Sequence, residues 1–186
     1  MDFVKEIKNF VESECNKPTS KYGSEPFEFH FVSVVNYADK LSDELGGDKE
    51  VILISAWLHD IGSIVCGREK HHITGAEIAE KKLIELDYPK HKIELVKKCI
   101  LNHRGSRQDE RETIEEQIVA EADAMSNFDN VPGIFKAALV YEGKTQGEAK
   151  DSLKNKLQRK WKQIKFENSR KMVKPKYDAV MLLFGN

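Results

Sequence analysis

His59 and Asp60 stand side by side at the end of an apolar run, Val51 to Leu58. An imidazole and a carboxylate at the edge of a core segment cost free energy unless something pairs with them. A divalent metal ion is such a partner. Further donors of the right kind lie elsewhere in the chain: His30 upstream, then His72, His103 and Asp123 downstream. His30, His59, Asp60 and Asp123 offer two nitrogens and two carboxylates. That mixed set suits Mn, Fe, Co, Ni or Zn, accommodates Mg, and lacks the thiolates of a structural zinc site. Two carboxylates balance one divalent ion, and four protein donors on a six-coordinate ion leave room for water and substrate. Water on such an ion becomes a usable nucleophile, with a pKa lowered to roughly 7.

His72 and His103 extend the set. They read as ligands of a second ion, as phosphate hydrogen-bond donors or a general acid, or as solvated loop histidines. Two ions on two carboxylates would carry surplus positive charge and attract an anion such as phosphate. Asp60, His72 and His103 are therefore the expected catalytic residues. Arg104, Arg68 and Lys70 are the expected substrate contacts, because a guanidinium fork matches two phosphate oxygens. His71, adjacent to His72 and pointing elsewhere, is expected at the surface, as is His91. Asn127 and Asp129 lie within one or two helical turns of Asp123, where they would orient that ligand or cap a helix end.

The elements that must position these groups are helical throughout. Phe3, Ile7, Phe10 and Val11 recur at helical spacing, as do Phe31, Val34, Val35, Ala38 and Leu41. Gly46-Gly47 stops the second helix and Asp48 caps the third, which carries the apolar run into His59-Asp60. Residues 62–72 read as a loop. Thr74 and Glu77 have capping-box spacing for a helix over Ala76 to Leu86. Ile93, Val96, Ile100 and Leu101 mark a helix ending near His103, and residues 104–111 a polar loop. Ile114, Ile118, Val119 and Ala122 lead to Asp123. Pro132-Gly133 predicts a break before a helix over 134–141. The last third is one long amphipathic stretch with Leu153, Leu157, Trp161 and Ile164 on one stripe. No β-alternation of useful length is present. The expectation is an all-α fold, with residues 1–130 as the core and 131–186 as a C-terminal helical extension packed on it.

Composition narrows the function classes. With 186 residues, 40% apolar and 33% charged, the chain is globular. No apolar run approaches membrane-spanning length, and the amphipathic N-terminus lacks the pattern of a signal peptide. Cys15, Cys66 and Cys99 form no Cys-x-x-Cys pair and fit reduced thiols of a cytoplasmic protein. The net charge of −1 hides an asymmetry. Residues 1–143 hold 18 Lys/Arg and 27 Asp/Glu, whereas residues 144–176 hold 12 and 3. The basic segment could face phosphates, lie against the acidic body or remain solvated. Trp161 sits on the apolar stripe and not among the lysines, which argues against nucleic-acid binding.

The order His30, His59-Asp60, His72, His103, Asp123 resembles the HD-domain superfamily of metal-dependent phosphohydrolases. The flanking residues share the likeness: Val34 and Ala38 after His30, the segment Leu58 to Gly62, His72 to Ala79, Ile100 to His103, and Glu121 to Ala124. The resemblance covers about residues 27–130 and is nearest to the small stand-alone hydrolases of nucleotides or pyrophosphate bonds. It implies an all-α bundle holding a metal with His30, His59, Asp60 and Asp123. Where a second ion is present it implies His72 and His103, with Asp60 bridging. Ser63 stands where the cyclic-dinucleotide branch has lysine and the deoxynucleotide monophosphatase branch has glutamate, which argues against both branches, and no water-activating residue carries over. The expected activity is metal-dependent hydrolysis of a phosphate ester or anhydride in a nucleotide or small phosphorylated metabolite. A di-iron HD-type oxygenase and a non-catalytic nucleotide-binding module are the alternatives.

Overall fold

The computed structural model describes residues 1–184, and these form helices and turns with no strand among them. The helices are α1 Phe3–Asn16, α2 Val32–Leu45, α3 Lys49–Leu58, α4 Ile61–Cys66, α5 His71–Glu85, α6 Lys90–Asn102, α7 Ile114–Ser126, α8 Val131–Lys136, α9 Gln146–Gln163 and α10 Glu167–Phe184. The all-α expectation holds.

Helix α3 is the centre of the packing. Its sequence is apolar on nearly every side, as a helix enclosed by others must be. Ile52 and Ala56 join one buried cluster with Val34, Leu41, Ile118, Val119 and Met125. Val51, Ile54, Trp57 and Leu58 join a second with Ile7, Val11, Phe31, Leu83, Val96 and Ile100. Burying each of these aliphatic side chains is worth about 1.5–3 kcal/mol. The helix is therefore clamped on both flanks, and its C-terminus is fixed in the middle of the molecule. The Asp48 side chain accepts from Val51 N–H at its start, as the sequence indicates. Gly46 ends α2 at φ 82°.

Helices α9 and α10, with the turn between them, bury Leu153, Leu157, Ile164, Val173 and Val180 in the first cluster. The amphipathic stripe is legible in sequence, but the single long stretch is two helices. The break at residues 164–166 is held by buried Glu121, whose carboxylate accepts from Lys165 N–H at 3.0 Å and Phe166 N–H at 2.9 Å.

Three further elements differ from the sequence reading. Residues 61–66 are helical, because Ile61 and Ile64 are pulled into the second cluster. Helix α5 begins at His71, so Thr74 lies inside it and its hydroxyl donates back to Lys70 C=O at 3.3 Å instead of capping. Helix α8 starts at Val131, ahead of Pro132-Gly133, because the Asn130 side chain caps it from outside and proline tolerates the first helical turn. The chain then continues through a wide turn over Ala137–Tyr141. Among the described residues no single helix is long and apolar enough to cross a membrane.

Candidate metal centre and its cavity

His59 closes α3 and Asp60 opens α4, so the pair marks a corner between two buried helices. Asp60 has φ −114° and ψ 13°, the sparsely populated bridge region that turns the chain here. Gly62 lets α4 and α5 meet. A Cβ there would stand 2.1 Å from His71 C=O and 2.7 Å from Gly75 N. That contact brings the start of α5 against Asp60. His30 sits in a wide turn, Phe27–Phe31, closed by a bond from Val32 N–H to Phe27 C=O five residues back. His103 follows the last turn of α6, and Asp123 lies in the last turn of α7.

The four convergent imidazoles have defined tautomers. His59 Nδ1 lies 2.8 Å from Ala56 C=O, His71 Nδ1 2.8 Å from Arg68 C=O, and His103 Nδ1 2.6 Å from Ile100 C=O. A carbonyl only accepts, so each Nδ1 carries the proton. His30 Nδ1 lies 3.2 Å from Ser126 Oγ, whose own hydroxyl donates to Asp123 C=O at 2.9 Å. His30 Nδ1 is then a donor as well. Every Nε2 is left with a bare lone pair facing inward.

These lone pairs meet two by two. His30 and His59 Nε2 are 3.1 Å apart, and His71 and His103 Nε2 are 3.4 Å apart. Bare lone pairs at these distances repel unless a cation lies between them. Two imidazole nitrogens on one ion at about 2.0–2.1 Å stand roughly 3.0–3.4 Å from each other. The residues therefore fit a divalent metal. Asp60 serves both pairs: Oδ2 lies 3.6 Å from His30 Nε2 and 3.8 Å from His59 Nε2, whereas Oδ1 lies 3.2 Å from His71 Nε2 and 3.7 Å from His103 Nε2. Asp123 Oδ1 faces the first pair at 3.8 and 4.0 Å. Two groups, His30–His59–Asp60 and Asp60–His71–His103, could each hold an ion.

The electrostatics agree. Burial lowers the pKa of His59, and lowers that of His103 to about 3, so both rings stay neutral as ligands require. Burial alone would raise the carboxyls. For Asp123 the Lys160 ammonium outweighs it and holds the group below the usual carboxylate range. Asp60 is held well below that range only by positive charge on the histidines around it, His30 first. With those rings neutral, a cation between them would supply that charge.

The cluster floors a cavity of about 800 Å³. Arg68, Arg104, Lys136, Lys156 and Lys160 line it, with Tyr22, Phe29 and Tyr141. Arg68 pairs with Glu142 at 3.0 Å. Lys156 has no ion-pair partner among the described residues, and burial together with Lys160 and Arg68 lowers its pKa to about 8. Lys156 and Lys160 reach the cavity because they sit one turn apart, about 60° around α9 from buried Leu153 and Leu157.

The structure thus brings together His30, His59, Asp60, His103 and Asp123. It replaces His72 with His71. Starting α5 at His71 aims that ring at Asp60, while His72 turns the other way and its Nδ1 accepts from Arg104 Nη1 at 3.3 Å. His71, expected at the surface, is buried; His91 is exposed as expected. Arg68 and Arg104 line the cavity, but Lys70 does not; it precedes α5 with its side chain in solvent. Asn127 donates to Asp123 C=O at 2.6 Å and to Oδ1 at 3.4 Å. Asp129 accepts from Ser33 Oγ at 2.7 Å and pairs with Lys176. Sequence reasoning missed Lys156, Lys160 and Ser126. The only signal for the lysines was the basic charge of their segment.

Comparison with known proteins agrees with this fold. A family model for the HD domain matches residues 28–127. Bacillus subtilis YpgQ, crystallised in complex with ADP, superposes with a TM-score of 0.71 at 17% identity, covering 97% of this chain and 93% of that one. An HD-superfamily hydrolase from Bacillus thuringiensis gives 0.71 at 16% identity, covering 97% and 92%. A tRNA (cytidine(56)-2'-O)-methyltransferase from Picrophilus torridus is 28% identical over 134 residues, which are 64% of this chain and 37% of that protein. The chain spans 37% to 54% of the lengths of the curated relatives it matches.

Proposed function

This chain belongs to the HD-domain family, and from that premise we propose that it is a metal-dependent phosphohydrolase acting on a nucleotide or similar small phosphorylated metabolite. One observation carries the reading: Asp60 lies between two pairs of lone-pair imidazoles at the floor of a cavity rimmed by cations. His30, His59, Asp60 and Asp123 would hold one ion, and His71 and His103, with the second oxygen of Asp60, another. Mn, Fe, Co, Ni, Zn or Mg would suit these donors. A bound ion would supply a water of lowered pKa and draw charge from phosphoryl oxygens.

The protein's own groups do the rest. The carbonyls of Ala56, Arg68 and Ile100 fix the rings with Nε2 inward. His103 keeps its proton on the far side of the ring, so it acts as a ligand and not as a general acid. Lys156, Arg68 and Arg104 offer phosphate oxygens cationic partners, and His72 orients the Arg104 fork. Tyr22, Phe29 and Tyr141 give the same cavity an aromatic wall suited to a base or similar flat group. The ADP bound to the structurally similar Bacillus subtilis protein supports a nucleotide.

The test is a panel of phosphorylated metabolites assayed for phosphate and pyrophosphate release with each divalent ion in turn. Asp60→Ala is expected to abolish turnover and to lower metal content. Full activity in that variant refutes the assignment. Tight nucleotide binding without release of either product by the wild type would make the protein a binding module instead.

A further inference from the structure

Asp123 divides its two oxygens between different partners. Oδ1 faces His30 and His59 and accepts from Asn127, whereas Oδ2 accepts from Lys160 Nζ at 2.6 Å. The pair is enclosed, with side chains 9% and 15% exposed. Lys160 comes from α9, beyond the segment that matches the HD domain. Its backbone is anchored because Leu153 and Leu157 are fully buried. A charge-assisted bond of this length between enclosed partners fixes the carboxylate's orientation.

A carboxylate can offer an ion one oxygen or both, and the choice changes how many positions remain for other ligands. We infer that Lys160 is a positioning residue: by holding Asp123 Oδ2 it leaves Oδ1 alone to face an ion at His30 and His59, and so keeps one coordination position free for water or substrate. The inference rests on reading the cluster as a metal site. It assigns to helix α9 a part in the centre that the segment matching the HD domain by itself does not supply. Two other roles for Lys160 make different predictions. A contact to substrate phosphate would change KM and leave metal affinity alone. A structural strut would change thermal stability and leave metal affinity alone.

The experiment uses the full chain with Mn²⁺ alone as probe, comparing wild type, Lys160→Met, Lys160→Gln and Lys160→Arg by calorimetry and by water-proton relaxation. Removing the ammonium takes away a positive charge near the ion and frees Oδ2. Mn²⁺ should bind about tenfold tighter in the Met and Gln variants, while the relaxation enhancement per bound ion falls as an exchangeable water is lost. On any substrate the panel identifies, kcat should fall in both neutral variants. Lys160→Arg should stay within about twofold of wild type on all three readouts, because it restores a charged donor. Wild-type Mn²⁺ affinity and relaxation in a folded neutral variant overturn the inference about Lys160. Failure of the wild type to bind Mn²⁺ or any other divalent ion overturns the metal-site reading beneath it. If both neutral variants fail to fold, Lys160 is a structural strut and the inference is overturned.

Discussion

Replacing His71 with Ala should remove one metal ion, and replacing His72 with Ala should not. The two residues are neighbours in sequence, yet only His71 Nε2 faces the cluster, 3.2 Å from Asp60 Oδ1 and 3.4 Å from His103 Nε2. The group it belongs to has three protein donors, Asp60, His71 and His103. Removing a residue that merely hydrogen-bonds to a metal ligand costs about ten- to a hundredfold in metal affinity. Removing a donor outright should cost at least the upper end of that range, about 2.7 kcal/mol. At Mn²⁺ concentrations that fill both sites of the wild type, the variant should therefore hold about one ion after equilibrium dialysis. His72→Ala should hold about two. Its defect should be a higher KM for the phosphorylated substrate, because the ring that steadies Arg104 is gone. Thermal melts of the metal-free proteins separate site loss from unfolding, since His71 also bonds the Arg68 carbonyl at the start of α5. Two tightly held ions in His71→Ala, or the loss of one in His72→Ala, would refute the tautomer argument on which the second site stands.

Lys156 should make ligand binding pH-dependent. Its pKa is lowered to about 8, against about 10.4 in an unfolded chain. Below pH 8 it is a cation in both states, and ADP affinity, followed by calorimetry, should fall as pH rises through about 8. Lys156→Met should abolish that step; an unchanged pH profile would remove Lys156 from the binding site. The same variant should stabilise the ligand-free protein at pH 7 by on the order of 1–2 kcal/mol after solvent screening is allowed for. The gain should fade as pH approaches the unfolded pKa, because the folded wild type then no longer carries the charge. Glu121→Ala leaves the N–H groups of Lys165 and Phe166 without their acceptor. A denaturant melt should show a loss of about 1–3 kcal/mol, with Glu121→Gln recovering part of it. No loss would mean that the α9–α10 break is held by apolar packing and the Arg170 bond to Ile164 C=O.

Much of this was legible in the sequence because the signals are local. Helical periodicity, the Gly46 stop and the Asp48 cap each depend on a few adjacent residues, and each stands where it was read. The convergence of His30, His59, Asp60, His103 and Asp123 was legible through the order and flanking pattern of the HD resemblance. The choice between His71 and His72 was not. It turns on where α5 begins, and a shift of one residue rotates a helical side chain by about 100°. The capping-box spacing at Thr74 pointed to a later start. The start was set instead by the close approach of α4 through Gly62, a tertiary contact with no local signature. Lys156 and Lys160 were hidden for a related reason. A basic helix looks the same in sequence whether its charged face meets solvent or a cavity.

The geometry of α9 resolves that ambiguity physically. The helix has one apolar stripe, and burying Leu153 and Leu157 against α7 leaves little rotational freedom. Once that stripe is placed, Lys156 and Lys160, three residues beyond each leucine, must project to one side of it. On that side lie Asp60 and Asp123. The acidic body and the basic segment therefore meet at this cavity, as they also do where Lys176 pairs with Asp129. The carboxylates can hold cations, Lys160 occupies one carboxylate oxygen, and Lys156, with no carboxylate of its own, is left facing the cavity. A helix packed merely to neutralise the body would have paired both lysines. Leaving one half-buried ammonium without an ion pair among the described residues costs stability unless an anion arrives to match it.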